Sequence, residues 1–477
     1  MRAALTGRRA PVLAGLVVGL AVVHAVVVGR HYFVGSFDDD AGYIVVARAL
    51  AHGQGLTSRL SAGYPLVSTY PPGYGALLAP IARIDGSAFL AFRALSVVAL
   101  VVLLPLVWTY LGRRRVSDPA RLAVLLLLAL NPVLATFSTM VMAELPFLVA
   151  FLLLLLAVER WEASPRVMTW AGAATVVAAA ASVWLKEAAL GLVAGLVVWL
   201  ALRRLWRKAA VTAGGTAVLF APVIIARLIA GGSLIGSRYA TEFGAAFAGG
   251  IGHQVTSAIP SAVATYLNSA IPQSIVPTSV SPLPVVGPVA GVLGTLGTTV
   301  TPLVLIGLVV WWRRHRDAAA VMVPFYVVTT LAYPFVNERR LIIVLPVIVA
   351  WYVLGAGAVI KAVTAAGRWF GREMAGRLVA WAPALVVIAV LVPQFGRDYL
   401  YALGQDSSRP QGSPYMAMLH DLGPPSEVVE SDFLWSTNLF SGHPTAESAY
   451  LVAVDNCYAP ELNKAIEQDG AGLVLTG

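Results

Sequence analysis

Ser36-Phe37-Asp38-Asp39-Asp40-Ala41-Gly42-Tyr43 sets three adjacent carboxylates just beyond an apolar stretch, Pro11–Gly29. The chain around it is 477 residues long, 58% hydrophobic and only 12% charged, with a mean hydropathy of +0.78. A soluble protein would carry about twice that charged fraction. Repeated apolar runs with few charges read as transmembrane helices. A carboxylate beside a bilayer is unfavourable unless it is hydrated, paired or used. The reading therefore turns on what surrounds Asp38, Asp39 and Asp40.

Apolar spans are expected at 11–29, 88–111, 120–137, 144–158, 168–185, 188–202, 209–230, 287–312, 318–335, 341–360 and 379–396. This predicts an all-α polytopic membrane protein with about eleven spans. The first span follows Arg2, Arg8 and Arg9 and reads as a retained signal anchor. An inside N-terminus gathers Arg113-Arg114-Arg115, Arg160, Arg203-Arg204, Arg207-Lys208, Arg313-Arg314 and Arg316 on the cytoplasmic side. The acidic loop and the C-terminus then lie outside, in the plasma (inner) membrane. The net charge of +9 reports this topology and gives no reason to expect nucleic acid. One cysteine, Cys457, excludes an intrachain disulfide framework.

Residues 1–396 form the expected transmembrane domain, with long outer loops at 30–87 and 231–286. Within the first loop, Asp40–His52 reads as an amphipathic helix presenting Tyr43, Val46, Ala47 and Leu50, ended by Gly53 and Gly55. Tyr70-Pro71-Pro72-Gly73-Tyr74 reads as a rigid turn, followed by a short surface helix at Ala76–Ile84. The second loop suits either a lid or a simple connector, with a surface helix at His253–Ser269. Residues 397–477 read as a small extracytoplasmic α/β domain. Its strands are expected at Glu427–Asp432, Ala449–Val454 and Gly472–Leu475, and its helices at Ser413–Leu422 and Ala459–Asp469.

Four outer segments carry charge: Asp38-Asp39-Asp40, Glu144, Lys186-Glu187 and Glu338-Arg339-Arg340. Each has a plain structural reading. An aspartate at a helix start is a cap, Glu144 suits a helix N-terminus, and Lys186-Glu187 suits an interfacial ion pair. Arginines on the outer side run against the positive-inside tendency, and a phosphate is their natural partner. Together the segments can form one polar site, with a carboxylate as general base and cations for a phosphate. No histidine pair has ligand spacing, so a divalent cation has no support as a cofactor. No Walker loop or GxGxxG cradle is present, so a nucleotide donor is not expected. Tyr70 and Tyr74 could stack on a sugar or anchor at the interface.

These motifs bring a family into view. Asp39-Asp40-Ala41-Gly42-Tyr43, then Ala47-Arg48-Ala49-Leu50 with Gly53 and Gly55, then Tyr70-Pro71-Pro72-Gly73-Tyr74, follow in order. Glu144-Leu145-Pro146-Phe147 and Glu338-Arg339-Arg340 come later, with Arg340 departing from an expected aromatic residue. In this order the chain resembles bacterial integral-membrane glycosyltransferases of the GT-C fold, the group of protein O-mannosyltransferases and the lipid A aminoarabinose transferase. The resemblance implies an inverting transfer of a hexosyl or pentosyl group from a polyprenyl-phosphate donor to a hydroxyl of a lipid, glycan or protein acceptor. It implies Asp39 as the base, with Asp38 as the alternative. Asp40, Tyr43 and Tyr70 would shape the site. Glu144 would contact sugar or acceptor, and Lys186, Arg339 and Arg340 would hold the phosphate. The alternatives are a transporter or flippase, or a non-catalytic binder, of a lipid-linked glycan. A transporter would place ionisable groups or broken helices at the bilayer midplane, whereas here the charges cluster at the outer ends.

Overall fold

A computed structural model describes residues 9–29, 32, 34, 39–55, 71–229, 254–276, 288–331, 338–369, 428–431, 445–447 and 471–475. The first ten helices are α1 (Arg9–Val28), α2 (Asp39–Ala51), α3 (Pro72–Ile84), α4 (Phe89–Arg113), α5 (Asp118–Ala129), α6 (Pro132–Thr139), α7 (Glu144–Ala163), α8 (Trp170–Leu185), α9 (Ala189–Leu202) and α10 (Trp206–Ile229). A helical stretch with two π turns, α11, covers 254–275. Then come α12 (Pro288–Arg314), α13 (Ala319–Leu331), a turn of helix at Glu338–Leu341, and α14 (Leu345–Trp369).

The expected spans from 11–29 to 341–360 coincide with helices, except that 120–137 is divided between α5 and α6; 379–396 lies outside the described residues. By length and composition, four described helices can cross a membrane, or five if a bent pair counts as one. The bent pair is α5 and α6, which meet at 58°. Its cause is local. Asn131 caps α6 by accepting from the Leu134 amide at 2.9 Å, and Pro132 occupies the first turn. The apolar helices α8, α9 and α13 are shorter than a full crossing.

The first outer loop differs from its expected form in two ways. Pro72-Gly73-Tyr74 is not a free turn but the first turn of α3, with Pro71 at the cap. Proline's fixed backbone suits that position, where its missing N–H leaves no helical bond unmade. Nor is α2 amphipathic: Asp40 to Ala47 are all buried, so it is enclosed on every side. Gly53 does end it, at φ +71°, with the Gly53 and Gln54 amides returning to Leu50 and Ala49. Arg48 then clamps the end of α2 to the α3–α4 turn, donating Nε and Nη2 to the Gly86 carbonyl at 2.9 and 2.7 Å.

Helices in a bilayer gain little from apolar burial against each other and rely on close packing. Gly307 of α12 faces the Trp351 carbonyl, and Gly355 of α14 faces the Leu303 carbonyl, so a Cβ at either would meet backbone. In the C-terminal region β1 (Val428–Ser431) lies between β2 (Thr445–Glu447) and β3 (Ala471–Leu475), parallel to both. Two of these match expected strands. The strand at 449–454 and both helices expected there lie outside the described residues.

Three helices end on arginines in the left-handed region: Arg115 (φ +53°), Arg204 (+60°) and Arg316 (+42°). At Arg115 and Arg204 the returning amide bonds are those that usually accompany glycine. An L-residue there costs about 1–2 kcal/mol.

Replacing Gly307 by leucine should separate α12 from α14. The expected loss is about 1–3 kcal/mol, the range for overpacking, read as a lowered melting temperature in detergent.

Candidate active site

Glu144 is the centre of the site. It starts α7, and its side chain is fully buried. Its Oε1 accepts from Lys186 Nζ at 2.7 Å and from Arg339 Nε at 2.8 Å. Arg339 continues the chain, donating Nη2 to Asp39 Oδ2 at 2.8 Å. Four expected site residues therefore form one alternating series, Asp39–Arg339–Glu144–Lys186. Their segments are far apart in sequence: Asp39 and Arg339 are 300 residues from each other. The second Glu144 oxygen, Oε2, is buried with no hydrogen-bond partner among the described residues.

The elements explain the placement. Asp39 and Glu144 each open a helix, where a carboxylate meets the positive end of the helix dipole. Lys186 sits in the turn between α8 and α9. Burial lowers its pKa, and the Glu144 carboxylate opposes that shift. Arg339 lies in the helical turn before α14, its guanidinium 5.7 Å from the Phe137 ring centre.

Asp39 and Asp40 face different surroundings. Asp40 is fully buried; its Oδ1 accepts from the Ala41 amide at 2.7 Å and its Oδ2 accepts from the Tyr32 hydroxyl. Burial, reinforced by the Asp40 charge, raises the Tyr32 pKa far above its ordinary value, so the phenol stays a donor. Tyr32 in turn accepts from the Val141 amide at 3.3 Å, tying α2 to the turn before α7. The Asp39 side chain keeps 23% of its surface exposed. Of the two acids, only Asp39 joins an exposed surface to the ion-paired series. Asp38 and Tyr70 lie outside the described residues.

Other expected site residues lie behind the series. Tyr43 is buried and meets Tyr74 edge-on, ring centres 4.9 Å apart. Tyr74 Oη is 3.3 Å from Ser96 Oγ, which donates to the Met140 carbonyl at 2.6 Å. These two tyrosines pack the loop onto the bundle. The Arg340 carbonyl accepts from the Tyr326 hydroxyl at 2.8 Å, while its side chain is partly buried. Lys186 and Glu187 do not pair with each other: Lys186 goes to Glu144, and Glu187 accepts from Arg227 of α10. A backbone turn points neighbouring side chains apart, so adjacency in sequence gives no ion pair here.

Three contributors carry no motif. Tyr32 holds Asp40. Arg227, buried to 1% exposure, fixes the Lys186-Glu187 turn through Glu187. Arg93 joins α1 to α6, donating to the Gly29 and Thr139 carbonyls at 2.5 and 3.0 Å. The only signal for Arg227 and Arg93 was a lone arginine near the end of an apolar stretch. Among the described residues no group of three or more His, Cys, Asp or Glu could hold a metal ion.

Glu144→Gln should leave Lys186 and Arg339 facing a neutral amide at a buried position. Breaking such an arrangement costs about 3–5 kcal/mol, which a detergent unfolding midpoint would register.

Comparison with known proteins places this geometry. No curated protein sequence matches the chain. Among solved structures it is similar to the archaeal oligosaccharyltransferase AglB of Archaeoglobus fulgidus, in complex with an inhibitory peptide and a dolichol-phosphate. The TM-score is 0.56 at 11% identity, covering 97% of this chain and 69% of that one. It is also similar to an A. fulgidus oligosaccharyltransferase tethered to an acceptor peptide, with TM-score 0.53 and 13% identity, covering 91% of this chain and 63% of that one. At such identity the likeness shows the fold, the GT-C arrangement expected above. The sequence profile of glycosyltransferase family 87 matches residues 69–336, a stretch that holds Glu144 and Lys186 and ends just before Arg339. Over half of its length the chain carries that profile on a GT-C fold, and it belongs to glycosyltransferase family 87.

Proposed function

We propose that this membrane glycosyltransferase moves a sugar from a polyprenyl-phosphate donor to an acceptor hydroxyl, with inversion, at the outer face of the plasma membrane. In this reading about eleven spans carry the site, the N-terminus is cytoplasmic, and residues 397–477 form a small extracytoplasmic α/β domain. The acceptor is a lipid, a glycan or a protein.

The carrying observation is the series Asp39–Arg339–Glu144–Lys186. It combines a partly exposed carboxylate with two cations at one end of the bundle. The acceptor oxygen attacks the anomeric carbon and gives its proton to Asp39. The bond from that carbon to the phosphate oxygen breaks, and polyprenyl phosphate leaves with the electron pair. Lys186 and Arg339 each keep N–H groups beyond those given to Glu144 and Asp39, and these meet the charge developing on the phosphate. Glu144 holds both cations in place. The dolichol-phosphate bound to AglB supports a lipid-linked phosphate donor by analogy of fold.

Asp39→Asn should reduce sugar transfer by about 10²–10⁴-fold, the usual share of a general base, while expression and donor retention stay normal. Transfer assayed in membranes supplied with radiolabelled polyprenyl-phosphate sugar checks this, and full transfer by the variant would remove Asp39 as the base. Lys186→Gln should instead weaken donor retention together with turnover.

A further inference from the structure

The end of the bundle away from Glu144 carries a second polar assembly. Glu159 lies 15 residues along α7 from Glu144, about 22 Å at the helical rise per residue. There Arg114 bridges Glu159 at 2.8 Å and Asp317 at 2.7 Å. Asp317 also accepts from the Tyr110 hydroxyl at 2.6 Å and from Trp311 Nε1 at 2.7 Å. Both acids are thus paired through Arg114.

Beside them is a cavity of about 580 Å³ between the α4–α5 turn, α12 and α14. Its walls are of two kinds. Val310, Val353, Leu354 and Ile360 make an apolar side, and Ile306 and Val309 on α12 are exposed apolar neighbours of Val310 along the same helix. The lining also includes three cations, Arg115, Arg314 and Lys361. All three are exposed, and none has an ion pair or side-chain hydrogen bond with the described residues. Arg115 also holds the left-handed position where a glycine would be unstrained.

We infer that this cavity binds an anionic phospholipid. The headgroup phosphate would meet Arg115, Arg314 and Lys361, and an acyl chain would lie along Val310, Val353 and Leu354. An apolar lining together with cations that have no ion pair among the described residues matches the two halves of such a lipid better than it matches a neutral lipid or a free anion. The volume lies within the range of ligand sites. The site stands at the opposite end of α7 from the transfer chemistry and does not depend on it.

The backbone supplies a clean test. Arg115→Gly removes a cation while relieving the left-handed strain, so loss of fold does not confuse the result. Arg204→Gly makes the same change at a helix end that does not line the cavity. The full-length protein in detergent is titrated with dioleoyl phosphatidylglycerol, dioleoyl phosphatidylcholine or inorganic phosphate, and bound lipid is read by native mass spectrometry. Phosphatidylglycerol should be retained over phosphatidylcholine. Arg115→Gly should bind it about fivefold more weakly, the factor for one cation at an anionic lipid surface. Arg204→Gly should bind it as the unaltered protein does, and equal inorganic phosphate should not displace it. Equal retention of both lipids, displacement by phosphate, or undiminished binding by Arg115→Gly would overturn the inference.

Discussion

Arg339 gives one nitrogen to Asp39 and another to Glu144, and Glu144 holds Lys186 with the same oxygen. Four segments of the chain meet through these contacts: the start of α2, the start of α7, the α8–α9 turn and the turn before α14. Charges buried in a low-dielectric bundle tolerate no missing partner, because the remaining ion keeps its desolvation penalty without its attraction. The series alternates in sign and sums to zero. Position therefore follows from electrostatics: each member fixes its neighbours, and the helix ends that carry them are fixed in turn.

The surrounding packing makes that arrangement possible. Gly73 lies against the Trp184 carbonyl and Gly75 against Val46, so α3 can approach both α8 and α2. Arg48 and Arg93 reach backbone carbonyls left open at helix ends and turns, closing gaps that no side chain of the apolar core could close. At Asp40 the same logic separates two adjacent acids. Its oxygens are engaged by Tyr32 and by the Ala41 amide, which makes it a brace for α2. Asp39, one residue earlier on the helix, points into the ion-paired series.

Much of this was legible in the sequence, for identifiable reasons. Helix positions followed from apolar length, since a bilayer demands long uncharged runs and the chain supplies them. The α5–α6 bend could be read from Asn131-Pro132, a cap followed by a first-turn proline, yet hydropathy alone runs straight across it. That Glu144, Lys186 and Arg339 come together was legible because charge is scarce here and falls at few positions near span ends. The pairing was not. Lys186-Glu187 suggested a local pair, but the turn sends one side chain to α7 and the other to α10. Tyr70–Tyr74 suggested a rigid turn because proline fixes its own backbone and restrains the residue before it; the same fixed backbone also suits the start of a helix, and Pro71-Pro72 open α3. Tyr32 carries no pattern of its own, and its role exists only once α2 and the turn before α7 are adjacent.

The two ends of α7 differ in how their charges are balanced. At Glu144 each cation has a carboxylate within hydrogen-bonding distance, and the acid itself is sealed from solvent. In the proposed reaction an incoming phosphate would meet N–H groups that are already oriented, with little reorganisation on its arrival. At Glu159 the acids are likewise engaged, by Arg113 and Arg114, while Arg115, Arg314 and Arg316 at the same end have no ion pair among the described residues. Lys208 adds to them by closing the α7 terminus, donating to the Trp161 and Ser164 carbonyls at 2.5 and 2.6 Å. A neutral series, open to the surface at Asp39, can respond to charge that appears during a reaction, because nothing in it is waiting to be neutralised. Cations without an ion pair beside a bilayer favour an anionic lipid surface, which is the basis of the lipid site proposed above. α7 thus joins two ends of different charge balance: cations and carboxylates match at Glu144, whereas near Glu159 arginines remain that have no ion pair among the described residues.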